Sequence, residues 1–156
     1  MLDLPDNGLY RTTQPMTGHE DAFPAGVLVY IGELPNGGGK FVVRPGSNRR
    51  NHWFWGEPTT PLRQPTWART LKQLPSEGFY TLPETLEFEG GGRWLKNAVV
   101  QLGYDERGRG IIFVGQWKED GSDNVLHFSQ RGMLIDDRVL AKLTWAPILP
   151  ITGEIQ

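Results

Sequence analysis

Apolar positions along the chain come in short blocks separated by turn formers, a pattern that predicts strands rather than long helices. The clearest example is Asn97–Gly115, NAVVQLGYDERGRGIIFVG. Two apolar runs, Ala98–Leu102 and Ile111–Val114, flank a polar connection that bears Gly108 and Gly110, residues suited to the positive φ of a tight reversal. The same pattern stands earlier, at Gly26–Arg44, GVLVYIGELPNGGGKFVVR. Laid over each other without a gap, Gly32, Gly37 and Gly39 fall on Gly103, Gly108 and Gly110 at an offset of 103 − 32 = 71. The chain is therefore read as an internal duplication of a β-hairpin unit.

The remaining elements are placed around these hairpins. Leu9–Thr13 reads as a short strand, and Val27–Glu33 and Lys40–Arg44 form the first hairpin, across Pro35–Gly39. A polar loop, Pro45–Arg50, leads to His52-Trp53-Phe54-Trp55 as a third strand of the sheet. Thr66 is the expected N-cap of a helix over Trp67–Leu74, and Pro75 ends it. Phe79–Leu82 reads as the closing strand of the first copy. In the second copy, Gly92–Leu95 echoes Gly8-Leu9-Tyr10 as a lead-in. Loop Lys118–Asp123 precedes a strand over Asn124–Phe128, Asp136 or Asp137 caps a helix over Arg138–Leu143, and Trp145–Pro150 closes the copy. Boundaries follow at 1–83 and 84–156, with Glu84–Gly91 as the link.

This order of lead-in strand, hairpin, strand, short helix and closing strand resembles the SH3-like and Tudor-like small barrels. The resemblance covers both halves and rests on element order. It implies an all-β protein with two short helices, built as tandem duplicated small β-barrels packed as one body. An OB-like barrel fits less well, because its helix lies between the third and fourth strands.

Composition agrees with a turn-rich β fold: 20 Gly and 12 Pro in 156 residues, with large buried areas available from six Trp, four Tyr and seven Phe. A net charge of −2 gives no electrostatic reason to expect nucleic acid or an anionic membrane as the default partner. The absence of cysteine excludes disulfides and thiolate metal sites and fits a reducing compartment. With no basic n-region followed by an apolar segment, and no apolar run long enough to span a bilayer, the expectation is a cytoplasmic protein without a membrane partner.

Candidate chemistry is sparse. Gly37-Gly38-Gly39-Lys40 is not a phosphate loop, because Lys40 is followed by a strand rather than a helix N-terminus. His19, His52 and His127 show no metal-ligand spacing, and no nucleophile–base pair is nominated by a motif. The expectation is no enzyme, no cofactor and no metal.

The most suggestive feature is the aromatic strand with its basic flank. Alternation sends Trp53 and Trp55 one way and His52 and Phe54 the other. The matched positions of the second copy, Leu126 and Phe128, assign the two tryptophans to the core. Arg49, Arg50, His52 and Phe54 remain as candidate partner-binding residues, suited by ring faces and guanidinium donors to an extended or acidic peptide. The function expected is a non-catalytic protein-binding or adaptor module, monomeric or a small homo-oligomer. Nucleic-acid binding through the same Arg–aromatic patch is the second choice, and a structural subunit of a larger assembly the third.

Overall fold

The structure is a computed structural model that describes residues 4–57, 59–87, 93–117, 126–129 and 132–146. The expected loop Lys118–Asp123, strand residues Asn124 and Val125, glycines Gly90–Gly92 and the segment Pro147–Pro150 lie outside the described residues. The fold is mostly strand with two short helices, and the chain divides into two compact units. Unit 1 is Met1–Ser76 with Tyr104–Arg109; unit 2 is Glu77–Gly103 with Gly110–Gln156.

Unit 1 begins with strands β1 (Gly8–Arg11), β2 (Leu28–Glu33) and β3 (Lys40–Val43), all antiparallel. They are followed by β4 (Pro45–Arg49), β5 (His52–Trp55), β6 (Thr60–Pro61), helix α1 (Pro65–Ala68) and β7 (Lys72–Gln73). The sheet order is β6-β3-β2-β1-β7, and β4 and β5 pair separately. One face of the sheet buries Tyr10, Val29, Ile31 and Val42 against Met16, Phe23, Leu62, Trp67 and Ala68. Full burial of each large side chain in such a core contributes about 1.5–3 kcal/mol. The opposite face carries the cross-strand row Leu9, Tyr30 and Val43, and Trp55 stacks on Tyr30 with ring centroids 5.3 Å apart.

Unit 2 contains β8 (Gly78–Thr81), β9 (Leu86–Glu87), β10 (Arg93–Trp94), β11 (Val99–Tyr104) and β12 (Gly110–Trp117). Then come β13 (Leu126–Phe128), β14 (Met133–Ile135), helix α2 (Asp137–Lys142) and β15 (Thr144–Trp145). The main path runs β13-β12-β11-β8-β15, with β14 also on β12, while β9 and β10 form a separate pair.

The two units repeat one pairing scheme residue by residue. Gly8↔Ile31, Leu9↔Tyr30, Tyr10↔Val29 and Arg11↔Leu28 correspond to Gly78↔Leu102, Phe79↔Gln101, Tyr80↔Val100 and Thr81↔Val99. Beyond the strands, Leu74 N–H donates to the Leu9 carbonyl at 3.0 Å and Ala146 N–H to the Phe79 carbonyl at 2.9 Å. Gly26 N–H donates to the Thr12 carbonyl, and Asn97 N–H to the Leu82 carbonyl. Gly26 and Asn97 share the left-handed backbone, with φ of 76° and 71°.

These matches correct several expectations. The strand expected at Phe79–Leu82 is present as β8, but it pairs with β11 and β15 and stands where β1 stands in unit 1. Gly78-Phe79-Tyr80 is thus the counterpart of Gly8-Leu9-Tyr10, and Gly92–Leu95 is not: Arg93 and Trp94 pair only with β9. The hairpins also differ by one residue at the turn. Leu34 N–H bonds the carbonyl of Gly39, whereas Asp105 N–H bonds that of Arg109. Gly37 and Gly39 have positive φ, and so does Gly108, but Gly110 starts a strand. Gly32 likewise lies in a strand, where an added Cβ would stand 2.7 Å from the Phe41 ring.

The helix expected over Trp67–Leu74 is only Pro65–Ala68, with Gln64 rather than Thr66 at the N-cap. Thr70 Oγ1 donates to the Trp67 carbonyl at 2.6 Å, and Lys72 and Gln73 pair with β1 instead of extending the helix. The expected loop at Pro45–Arg50 is largely strand β4, so His52–Trp55 belongs to a two-stranded hairpin and not to the main sheet. Helix α2 forms where expected, and Asp136 caps it by accepting from Val139 N–H at 2.9 Å. Among the described residues no sheet closes into a barrel.

Candidate functional site

The β4–β5 hairpin reverses through Arg50 and Asn51, whose φ values of 54° and 63° are both left-handed. Two such residues between paired Arg49 and His52 make a type I′ reversal, the turn whose twist matches that of the strands. Holding the non-glycine Arg50 in this region costs about 1 kcal/mol or more, so the surrounding hairpin must fix it.

Pairing then decides which side chains meet. Arg49 lies opposite His52, and Ser47 opposite Phe54, which places these four on one face. Asn48 and Trp53 form the pair of the other face. Trp53 is 8% exposed, and its Nε1–H donates to the Tyr104 carbonyl at 2.7 Å. Phe54, the residue next to buried Trp53, is 51% exposed. The His52 ring meets it edge-on, with centroids 5.3 Å apart and planes at 87°. Arg49, Arg50 and His52 are also exposed. The structure therefore brings Arg49, His52 and Phe54 together on one face, with Arg50 in the adjoining turn. Such a face can offer guanidinium donors beside aromatic edges to a negatively charged chain.

At the base of the hairpin the strands approach closely. A Cβ on Gly46 would lie 3.1 Å from the backbone of Gly56, a tight approach that favours glycine there, whereas one on Gly56 would make only ordinary contact at 3.4 Å. The pairing shifts by one residue between Pro45 and Ser47, a bulge in β4.

Other sequence candidates gather no comparable site. His19, Glu20 and Asp21 lie in a turn closed by Phe23 N–H donating to the His19 carbonyl, and Gly18 N–H donates to the Glu20 carboxylate. Among the described residues no cluster of three or more His, Asp or Glu is placed to hold a metal. No described helix is long and apolar enough to cross a membrane.

Two features escaped the sequence reading. The ring row Phe41, Tyr30 and Trp55, with centroid spacings of 6.4 and 5.3 Å, is half-buried on the outer sheet face. Unit 2 has Gln101 in place of Tyr30, so this row is not repeated. The second is Arg44, whose guanidinium burial draws down below the usual range while the charge of Glu106 pulls it back up. The gapless alignment sets Arg44 against Gly115; the observed turn lengths set it against Val114.

Comparison of the chain with protein-family models, curated proteins and solved structures finds no match.

Proposed function

We propose that the chain is a non-catalytic protein-binding module built from two SH3-like units, and that it holds an extended acidic segment of its partner on the outer face of the β4–β5 hairpin. The observation that carries this reading is Phe54, an aromatic ring 51% exposed on a hairpin whose other face is anchored by Trp53. An exposed ring on a rigid support binds at little cost in side-chain entropy, and Arg49 and Arg50 beside it supply the charge. The SH3-like part of the reading is supported by strand order. In each unit the first strand, β1 or β8, lies in its sheet between the leading strand of the long hairpin, β2 or β11, and the last strand, β7 or β15. A helix immediately precedes that last strand.

The test uses the full chain as bait in cell lysate, beside the double variant Phe54→Ala/Arg49→Glu. The expected result is a protein retained by the natural chain after nuclease treatment and at raised salt, and lost by the variant. Capture that the variant leaves unchanged would remove the hairpin face from consideration. Capture abolished by nuclease and steeply weakened by salt would replace a protein partner by nucleic acid.

A further inference from the structure

Arg44, just beyond β3, lines a cleft of about 310 Å³ together with Ala22, Phe23, Val43, Gly46, Gly56 and Glu57. Its Nη1 donates to the Ala22 carbonyl at 3.1 Å, and because Ala22 is another wall residue this bond fixes the guanidinium in the wall. Nε is buried and has no hydrogen-bond partner among the described residues. Arg44 has no ion pair there either; Glu106 acts on it only through space. Arg44 is half-buried, and a buried Nε–H without a partner is costly to the folded state, which calls for a reason.

Unit 2 shows that the fold does not supply the reason. Gly56 N–H donates to the Arg44 carbonyl at 3.0 Å, and Ser129 N–H donates to the Val114 carbonyl at 2.9 Å. The flanking pairs Pro45↔Trp55 and Gly115↔Phe128 match as well. At the same backbone position unit 2 places Val114, only 9% exposed. An apolar side chain therefore satisfies this architecture, and the cation in unit 1 is an addition to it.

We propose that this cleft binds a carboxylate carried on a compact apolar body, with Arg44 as its anion anchor. Phe23 and Val43, both 2% exposed, give the wall its apolar backing. Gly46 and Gly56 contribute no side chains to fill it. With Nη1 held by Ala22 and Nε sealed in the wall, the Nη2 group is the one open to the cleft and meets a carboxylate with charge-assisted bonds. Glu57, exposed in the same wall, disfavours a dianion such as phosphate and leaves a monoanion as the fitting charge. This inference does not rest on the hairpin face and is read by a different signal.

The test titrates the full chain with benzoate, N-acetyl-phenylalanine and N-acetyl-glutamate N-methylamide, following the Arg44 Nε–H resonance by NMR. Benzamide and inorganic phosphate serve as controls. The expected result is a saturable shift with at least one carboxylate and none with benzamide. The arm that saturates at the lowest concentration tells whether a free acid, a chain terminus or an acidic side chain is preferred. Arg44→Met, which Val114 indicates will fold, is followed through neighbouring amides and should weaken binding about tenfold or more, as loss of a charge-assisted bond requires. Glu57→Gln should tighten it. No saturable shift with any carboxylate, an equal response to phosphate, or unchanged binding by Arg44→Met would overturn the proposal.

Discussion

The indole Nε1 of Trp53 donates to the backbone carbonyl of Tyr104 at 2.7 Å, and both groups are buried within unit 1. This bond joins residues far apart in sequence and fixes the inner face of the β4–β5 hairpin, which in turn decides that Phe54 points outward. Trp53→Phe keeps most of the apolar area but removes the indole N–H that the Tyr104 carbonyl accepts. It should cost about 1–3 kcal/mol of unfolding free energy. Trp53→Ala adds a cavity and should cost about 3–5 kcal/mol. Urea unfolding measures both, and a Trp53→Phe variant as stable as the natural chain would show that the bond contributes nothing.

Phe54 and Arg49 should behave in the opposite way. Both side chains are exposed, so Phe54→Ala and Arg49→Glu should each change stability by only about 0.5 kcal/mol. Their edge-on and cross-strand contacts with His52 set that small figure. The effect belongs instead in binding. A large loss of stability in either variant would place the side chain in the core and invert the assignment of faces.

The same alternation made the hairpin face legible in the sequence, since His52 and Phe54 are separated from Trp53 and Trp55 by the pleat alone. Helix α2 was legible through Asp136, whose carboxylate does what an N-cap does. Strand β4 was not, because Pro45-Gly46-Ser47-Asn48 carries no apolar alternation; the aromatic residues lie on its partner strand, where Trp53 stands opposite Asn48. The role of β8 was hidden for a different reason. Prolines at 75 and 83 frame it equally well as an end or a beginning, and only partner strands decide between them. Arg44 was lost through the turn: one extra residue between Leu34 and Gly39 moves its counterpart from Gly115 to Val114, and with that shift an unremarkable arginine becomes a cation in an apolar position.

Gly26 and Asn97 allow a direct test of the shared backbone. Both sit at φ near 70–76°, both are exposed, and a Cβ on Gly26 would meet nothing within 4 Å, so any cost there is conformational rather than steric crowding. Gly26→Ala and Asn97→Ala should each destabilise their unit by about 1 kcal/mol, while Asn97→Gly should be neutral or stabilising. Chemical unfolding reads all three. Equal stability of Asn97→Ala and Asn97→Gly would mean that the left-handed geometry is not maintained in solution.

Tyr10 and Tyr80 make a matched pair in β1 and β8 and predict how stability responds to alkali. Burial raises the phenol of Tyr10, with the charge of Asp6 adding to the effect, and burial alone raises that of Tyr80. A phenol whose folded-state pKa lies above its unfolded value of about 10 holds its proton longer in the native state. Above that value the unfolded chain binds fewer protons than the folded one, so unfolding free energy falls as pH rises. The contribution is complete below pH about 10 and is lost as pH climbs through the raised native values. Unfolding curves across this range should therefore be flat at neutral pH and decline in alkali, with tyrosinate absorbance appearing late. Tyr10→Phe should lower stability at neutral pH by about 1 kcal/mol, since the hydroxyl donates to the Asp6 carbonyl at 2.9 Å, and should flatten the alkaline decline. A decline as steep in Tyr10→Phe and Tyr80→Phe as in the natural chain would assign alkaline unfolding to other groups.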